Sequence, residues 1–244
     1  MIWLETHFIW FVLYSVAGWI WEVIVCSVPT KKFINRGFLN GPYCPIYGIG
    51  ALVIILLLAD IKNTVLLFLV ASVLSCALEY ITSWAMEKIF HARWWDYSTD
   101  FMNINGRICL KGAVAFGALG IVLIKFIHPA VASFTMRLPE LPISVIALVF
   151  FAFLLTDIVY TVTRLSDFEA NLEQLTERLN NAIAMANEQR RVMLDKLQDT
   201  EFFKKINRQE RRIIKAFPKM RHLRYDSAFQ KIKSYILGKE DKNN

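Results

Sequence analysis

The sequence has no GxxxxGK[ST], so it carries no phosphate-cradling loop of that kind and no sign of ATP hydrolysis. GxSxG and HExxH are missing too, which removes the commonest serine-hydrolase and zinc-protease signatures. Its four cysteines, Cys26, Cys44, Cys76 and Cys109, form neither a CxxC pair nor a zinc spacing and are expected to be reduced and structural. The four histidines are scattered, and only His91 near Asp96 makes a pair. No catalytic residue, cofactor or metal ligand is therefore assigned from sequence, and an enzyme is the less favoured class. The opening MIWLETHF contains an acid and no basic stretch, so the first apolar run is expected to be a retained helix and not a cleaved secretory signal.

What is abundant is apolar. Hydrophobic residues make up 55% of the 244 positions and aromatic residues 14%, against about 45–50% apolar for an ordinary soluble domain. The excess lies before Arg164. The chain from Arg164 onward is rich in charged helix formers and holds 18 of the 28 Lys and Arg but 12 of the 21 acids. The expected organisation is an all-α membrane bundle over 1–163 and a basic helical tail over 164–244. A span needs about 20 apolar residues to cross roughly 30 Å of hydrocarbon. Five runs approach this, at about 7–28, 43–59, 64–86, 110–127 and 142–163. They are continuous and do not alternate, so they are expected as helices and not barrel strands.

The short loops set an orientation. Lys31, Lys32, Arg36, Lys88, Arg93, Arg107 and Lys111 fall on one side, and only Lys62, Lys125 and Arg137 on the other. The richer side is expected to be cytoplasmic, with the N-terminus outside and the tail inside. Three acids fall within spans, Glu22, Glu79 and Asp157, where a central charge costs about 2.5–3.5 kcal/mol on insertion scales. Each precedes the end of its run by seven or eight residues, roughly 10 Å at 1.5 Å per residue. An acidic cluster near the cytoplasmic side follows, with Arg36, Arg107 and Lys111 as candidate counter-charges. Helix-pinning ion pairs account for the same residues as well as a substrate or ion pathway does.

Two loops stand out. In FINRGFLNGPYCPIYGIG, Phe33 to Gly50, glycines and prolines interrupt Asn35, Arg36, Asn40, Tyr43 and Tyr47. This is too apolar for a solvated linker and too broken for a regular helix, so a re-entrant or interface-hugging segment is expected. The second, FHARWWDYSTDFMNINGRICLKG, sets Trp94, Trp95, Asp96 and Tyr97 before Asn105, Arg107 and Lys111. Its tryptophans suit an interfacial belt. The pathway candidates are thus Glu22, Glu79, Asp157, Asn35, Arg36, Asn40, Tyr43, Trp95, Asp96, Asn105, Arg107 and Lys111.

Taken in order, GWIWE, NRGFLNGPYCPIYG, EYITSWAMEKIF, ARWWDYS and NINGRICL resemble the bacterial membrane family called Putative ABC-transporter type IV, over roughly residues 10 to 125. The resemblance implies a multi-span protein of the bacterial cytoplasmic membrane, permease-like, that requires a separate ATPase subunit. It places Glu22, Asn35–Gly48, Glu79, Glu87, Trp94–Ser98 and Asn105–Arg107 among characteristic positions. Phe116-Gly117 stands where the family often has Trp-Gly. The substrate is left open.

In the tail, Leu165, Phe168, Leu172, Leu175, Leu179, Ala182 and Ala186 keep a 3-4 spacing, the seam of a coiled coil. Ser166-x-x-Glu169 looks like a capping box and suggests a fresh helix start, with one unbroken helix as the alternative. A further helix is expected at about 226–237, ending at Gly238. Expected partners are the anionic leaflet through the basic tail and a second copy through the 165–186 seam. Nucleic acid is not expected, since no groove-reading module accompanies the charge. Two other functions stay open: a membrane-anchored scaffold for assembly, and an intramembrane enzyme on lipid-linked substrates with Arg36 or Arg107 on a phosphate.

Overall fold

The structure is a computed structural model that describes residues 2–184, Ile206 and 208–238. It is helical nearly throughout: α1 (Ile2–Thr30), α2 (Pro45–Leu58), α3 (Thr64–Phe90), α4 (Leu110–Thr135), α5 (Glu140–Ala184), α6 (Arg208–Ala216) and α7 (Asp226–Gly238). Two short strands, β1 (Ala92–Arg93) and β2 (Arg221–His222), pair antiparallel. Contacts divide the chain into two compact units, 1–85 with 95–158 and 86–94 with 159–244.

Among the described residues four helices, not five, are long and apolar enough to cross a membrane: α1, α3, α4 and α5 over Glu140–Arg178. The expected span at 43–59 is corrected to a helix of 14 residues, about 21 Å long at 1.5 Å per residue. Pro45 sits in the first turn of α2, where its missing N–H is no loss, so Tyr43 and Cys44 stay outside the helix. Gly48 and Gly50, expected to help break this region, lie inside α2.

Those glycines act by closeness. A Cβ on Gly48 would stand 2.2 Å from Ser15 Oγ and 2.5 Å from the Phe11 carbonyl, and one on Gly18 would stand 2.2 Å from the Tyr47 ring. Small residues let α1 and α2 approach to backbone contact, the usual packing device where lipid surrounds helices. The core of the first unit gathers Trp10 and Tyr14 of α1, Ile54, Ile55 and Leu58 of α2, Leu67 and Ala71 of α3, and Leu123 of α4. Asn63 caps α3, its Oδ1 accepting from Val65 N–H at 2.9 Å and Leu66 N–H at 3.0 Å.

Pro129 does not end α4. The helix widens into a π-helical turn over Leu123–Ile127, where His128 N–H donates to the Leu123 carbonyl five residues back. The wider turn seats a proline ring that would clash with the carbonyl four residues behind it. Beyond it, Trp10 Nε1 donates to Thr135 Oγ1 at 2.9 Å, and the Tyr14 hydroxyl lies 2.9 Å from His128 Nδ1.

Helix α5 runs without a break through Ser166, so the fresh start expected there is replaced by its alternative. The Ser166 hydroxyl donates back to the Val162 carbonyl at 3.2 Å and does not cap. In the second unit Leu165, Phe168, Leu172 and Leu175 are buried, together with Ile213, Ile214, Phe217, Met220, Phe229 and Ile232. Phe168 meets Phe229 edge-on at 6.4 Å between centroids, and Trp94 meets Phe217 at 5.2 Å. The first half of the expected coiled-coil seam is thus covered by the chain's own later helices. The Leu179 and Ala182 side chains and all of Ala186 lie outside the described residues.

Candidate functional site

All three membrane acids lie in the first unit, and the irregular stretch 31–44 reaches two of them. It is tied to α1 by Cys44 N–H donating to the Ser15 carbonyl at 2.8 Å and Ile34 N–H donating to Ser27 Oγ at 2.9 Å. Trp19 Nε1, one turn before Glu22, donates to Asn35 Oδ1 at 2.8 Å. This presents Arg36 to Glu22, with Nε 3.2 Å from Oε2. The other oxygen of Glu22 accepts from the Tyr47 hydroxyl of α2 at 2.5 Å.

Asp157 is held differently. Its Oδ1 accepts from Asn40 N–H at 3.1 Å and Asn40 Nδ2 at 2.9 Å, and its Oδ2 from Gly41 N–H at 2.8 Å and the Tyr43 hydroxyl at 2.6 Å. One carboxylate of α5 therefore satisfies two backbone donors and two side chains of a turn that has no ladder of its own.

Glu79 on α3 is 7% exposed. Its Oε1 accepts from the Tyr97 hydroxyl at 3.2 Å, while Oε2 is buried without a hydrogen-bond partner among the described residues. Glu22 is near enough to Glu79 for the two charges to interact. Burial, and after it the neighbouring Glu79 carboxylate, raises the pKa of the Tyr97 hydroxyl and keeps it a donor.

The second loop is shaped by Asn105-Gly106. Both residues have positive φ, 52° and 66°, and Arg107 N–H donates to the Ile104 carbonyl at 3.0 Å, as in a tight turn of the primed kind. Asn105 Nδ2 donates to the Tyr80 hydroxyl at 2.9 Å. Arg107 follows with its guanidinium 5.5 Å over the Tyr80 ring and Nη1 donating to Ser83 Oγ at 3.1 Å. Trp95 Nε1 donates to the Arg107 carbonyl at 3.0 Å, and Asp96 Oδ1 accepts from Ser98 N–H at 3.0 Å.

Of the candidate counter-charges, Arg36 pairs with a membrane carboxylate, Arg107 goes to Ser83 and Tyr80, and Lys111 is exposed. His91, noted in the sequence for Asp96, instead lies with Nδ1 2.9 Å from Glu169 Oε1 in the second unit. The sequence offers Tyr47 as a hydrogen-bonding residue of the first loop and Tyr97 as part of the Trp94–Ser98 block, neither as a pathway candidate. Trp19, Tyr80 and Ser83 appear there only inside the GWIWE and EYITSWAMEKIF motifs, although Trp19 is i−3 to Glu22 and Ser83 is i+4 to Glu79, the spacings that share a helix face. Among the described residues no group of three or more His, Cys, Asp or Glu could hold a metal ion.

No curated protein and no solved structure matches this chain. A family model described as "Putative ABC-transporter type IV" matches residues 9–162, more than half the chain, and spans Glu22, Arg36, Glu79, Tyr97, Arg107 and Asp157. With four membrane-length apolar helices in place, the chain belongs to the family described as "Putative ABC-transporter type IV" and is a transport-related membrane protein.

Proposed function

We propose that this chain is the membrane-spanning subunit of a transporter that works with a separate ATPase, and that Glu22, Arg36, Tyr47, Glu79 and Tyr97 line its polar pathway. The observation that carries this is Glu79, a buried carboxylate on a membrane helix with one oxygen unengaged. Ionisable residues in spans mark substrate, ion or proton routes by default. The irregular stretch 31–44, which engages Glu22 and Asp157, adds support, because non-helical backbone at membrane depth is tolerated when it is buried in protein or lines a cavity. The family resemblance favours a bacterial cytoplasmic membrane, and the loop charges favour an N-terminus outside and a tail inside. Exposed Arg221 and Arg224 then suit contact with the anionic leaflet.

Gentle solubilisation from the native membrane, followed by mass spectrometry of what co-purifies, tests the partnership. A stoichiometric ATPase is the expected result, and recovery of the chain alone overturns the ATPase-coupled reading. One observation favours a scaffold instead: Asn40, Gly41 and Tyr43 of a single turn give Asp157 four hydrogen bonds, as a helix-to-loop staple would have it. In that case the chain would co-purify with envelope-assembly proteins.

A further inference from the structure

Both oxygens of Asp157 and both oxygens of Glu22 are engaged, whereas Glu79 has one oxygen bonded to Tyr97 and one bare. A bare, buried carboxylate oxygen without an ion-pair partner is costly, and neutralising the group removes most of that cost. The space beside Oε2 limits what can do so. A Cβ built on Gly112 would stand 3.8 Å from Glu79 Oε2 and 3.8 Å from Cys109 Sγ, ordinary contact distances, so a bare turn of α4 lies against Oε2 and offers it no donor side chain. A proton on Oε2 neutralises the group without needing any further room.

The charged and titratable neighbours agree. Glu22 on α1 is a second acid within electrostatic reach of Glu79, and Arg36 pairs with Glu22. Tyr47 on α2 donates to Glu22, and Tyr97 from the second loop donates to Glu79. Arg107 from the same loop is directed to Ser83 and the Tyr80 ring, one turn along α3. Cys76 on α3 and Cys109 at the start of α4 complete the surroundings and are free thiols.

We propose that Glu79 Oε2 is a proton-binding site that loads and unloads during the working cycle of the protein. Uptake forms one O–H bond on Oε2 and release breaks it, with no other bond changed. The inference deepens the pathway reading by naming what Glu79 carries, and its test needs neither an ATPase nor a substrate.

The experiment is pH-dependent infrared difference spectroscopy on the purified full chain, with Glu79→Gln and Glu79→Asp alongside. The expected result is a protonated-carboxyl C=O band on the acid side of neutrality that gives way to carboxylate bands as pH rises. That band should be missing in Glu79→Gln and displaced in Glu79→Asp. A band missing at every pH where the chain stays folded overturns the proposal, and so does one that never titrates. If the variants do not fold, labelling of the native chain by a membrane-permeant carbodiimide, which attacks protonated carboxyls, gives a second readout. Modification of Glu79 that declines as pH rises is expected, and modification of Glu22 or Asp157 in its place sinks the idea. Loss of the ATPase partnership would leave this result standing, and a negative result here would leave the partnership standing.

Discussion

At the scale of single residues, Asp157 and Glu79 illustrate two uses of a carboxylate in a membrane helix. Asp157 is saturated by Asn40, Gly41 and Tyr43, so Asp157→Ala strands two backbone donors at about 1–3 kcal/mol each. Detergent-solubilised Asp157→Ala should lose thermal stability or folded yield, and Asp157→Asn should lose less because an amide oxygen still accepts. Glu79→Gln should be tolerated in folded yield, since the amide keeps an acceptor for Tyr97 and imitates the neutral acid.

His222 supports a pH prediction. It is buried, and Tyr225 N–H donates to its Nδ1 at 3.1 Å. Burial lowers its pKa, Glu169 opposes that shift, and His91, Arg224 and Asp226 also act on it. A lowered folded-state pKa means the second unit keeps its full stability above the unfolded value of about 6.5. It loses stability as pH falls through that value toward the folded one, because protonating Nδ1 abolishes the bond from Tyr225. Protease sensitivity around β2 should rise as the full chain is acidified, and His222→Gln should flatten that dependence.

At the scale of elements, what was legible in the sequence was what repeats. Continuous apolar runs located the four long helices, and the 3-4 spacing of Leu165, Phe168, Leu172 and Leu175 located a buried stripe. Nothing in that spacing says who covers the stripe, and a seam for a second copy looks the same as a seam for α6 and α7. Nor could composition tell Gly48, which sits where α1 and α2 touch, from Gly41 in the loop, because approach distances are a tertiary property. The capping-box pattern at Ser166 failed because the hydroxyl found a carbonyl one turn back. Of the site, the acids and loop polar residues could be read, but Tyr80 and Ser83 around Arg107 could not without the turn at Asn105-Gly106. Gly48→Val should cost most of the folded protein, since its Cβ meets Ser15 and Phe11 far inside contact distance. Gly50→Ala, facing Leu78 Cδ2 at 3.4 Å, should be nearly silent. Circular dichroism and detergent-exclusion profiles would compare the two. Leu172→Ala, at a fully buried position of the tail, should cost about 2–5 kcal/mol.

At the scale of the whole molecule, composition changes at Arg164, while contacts join 86–94 to the segment beyond 159. The difference comes from pairings such as Ala92 with His222 and Arg93 with Arg221, which are invisible to composition. A chain truncated at residue 163 would keep every membrane-length run but leave Trp94 without Phe217. Its end-of-α3 segment should then become accessible to protease while the spans still insert.

The π-helical turn in α4 has a consequence for lineage as well as for packing. An α-helix that accepts one surplus amino acid without unravelling takes this form, so the turn at Leu123–Ile127 is what a single-codon insertion looks like once it has been absorbed. Before it, Gly117 and Gly120 keep phase with Phe68 and Ala71 of α3; after it, His128 and Thr135 keep phase with Tyr14 and Trp10 of α1. Deleting outward-facing Phe126 would restore an ordinary helix and rotate everything beyond it by about 100°, so a shorter ancestor of this helix would have needed a different partner for Trp10.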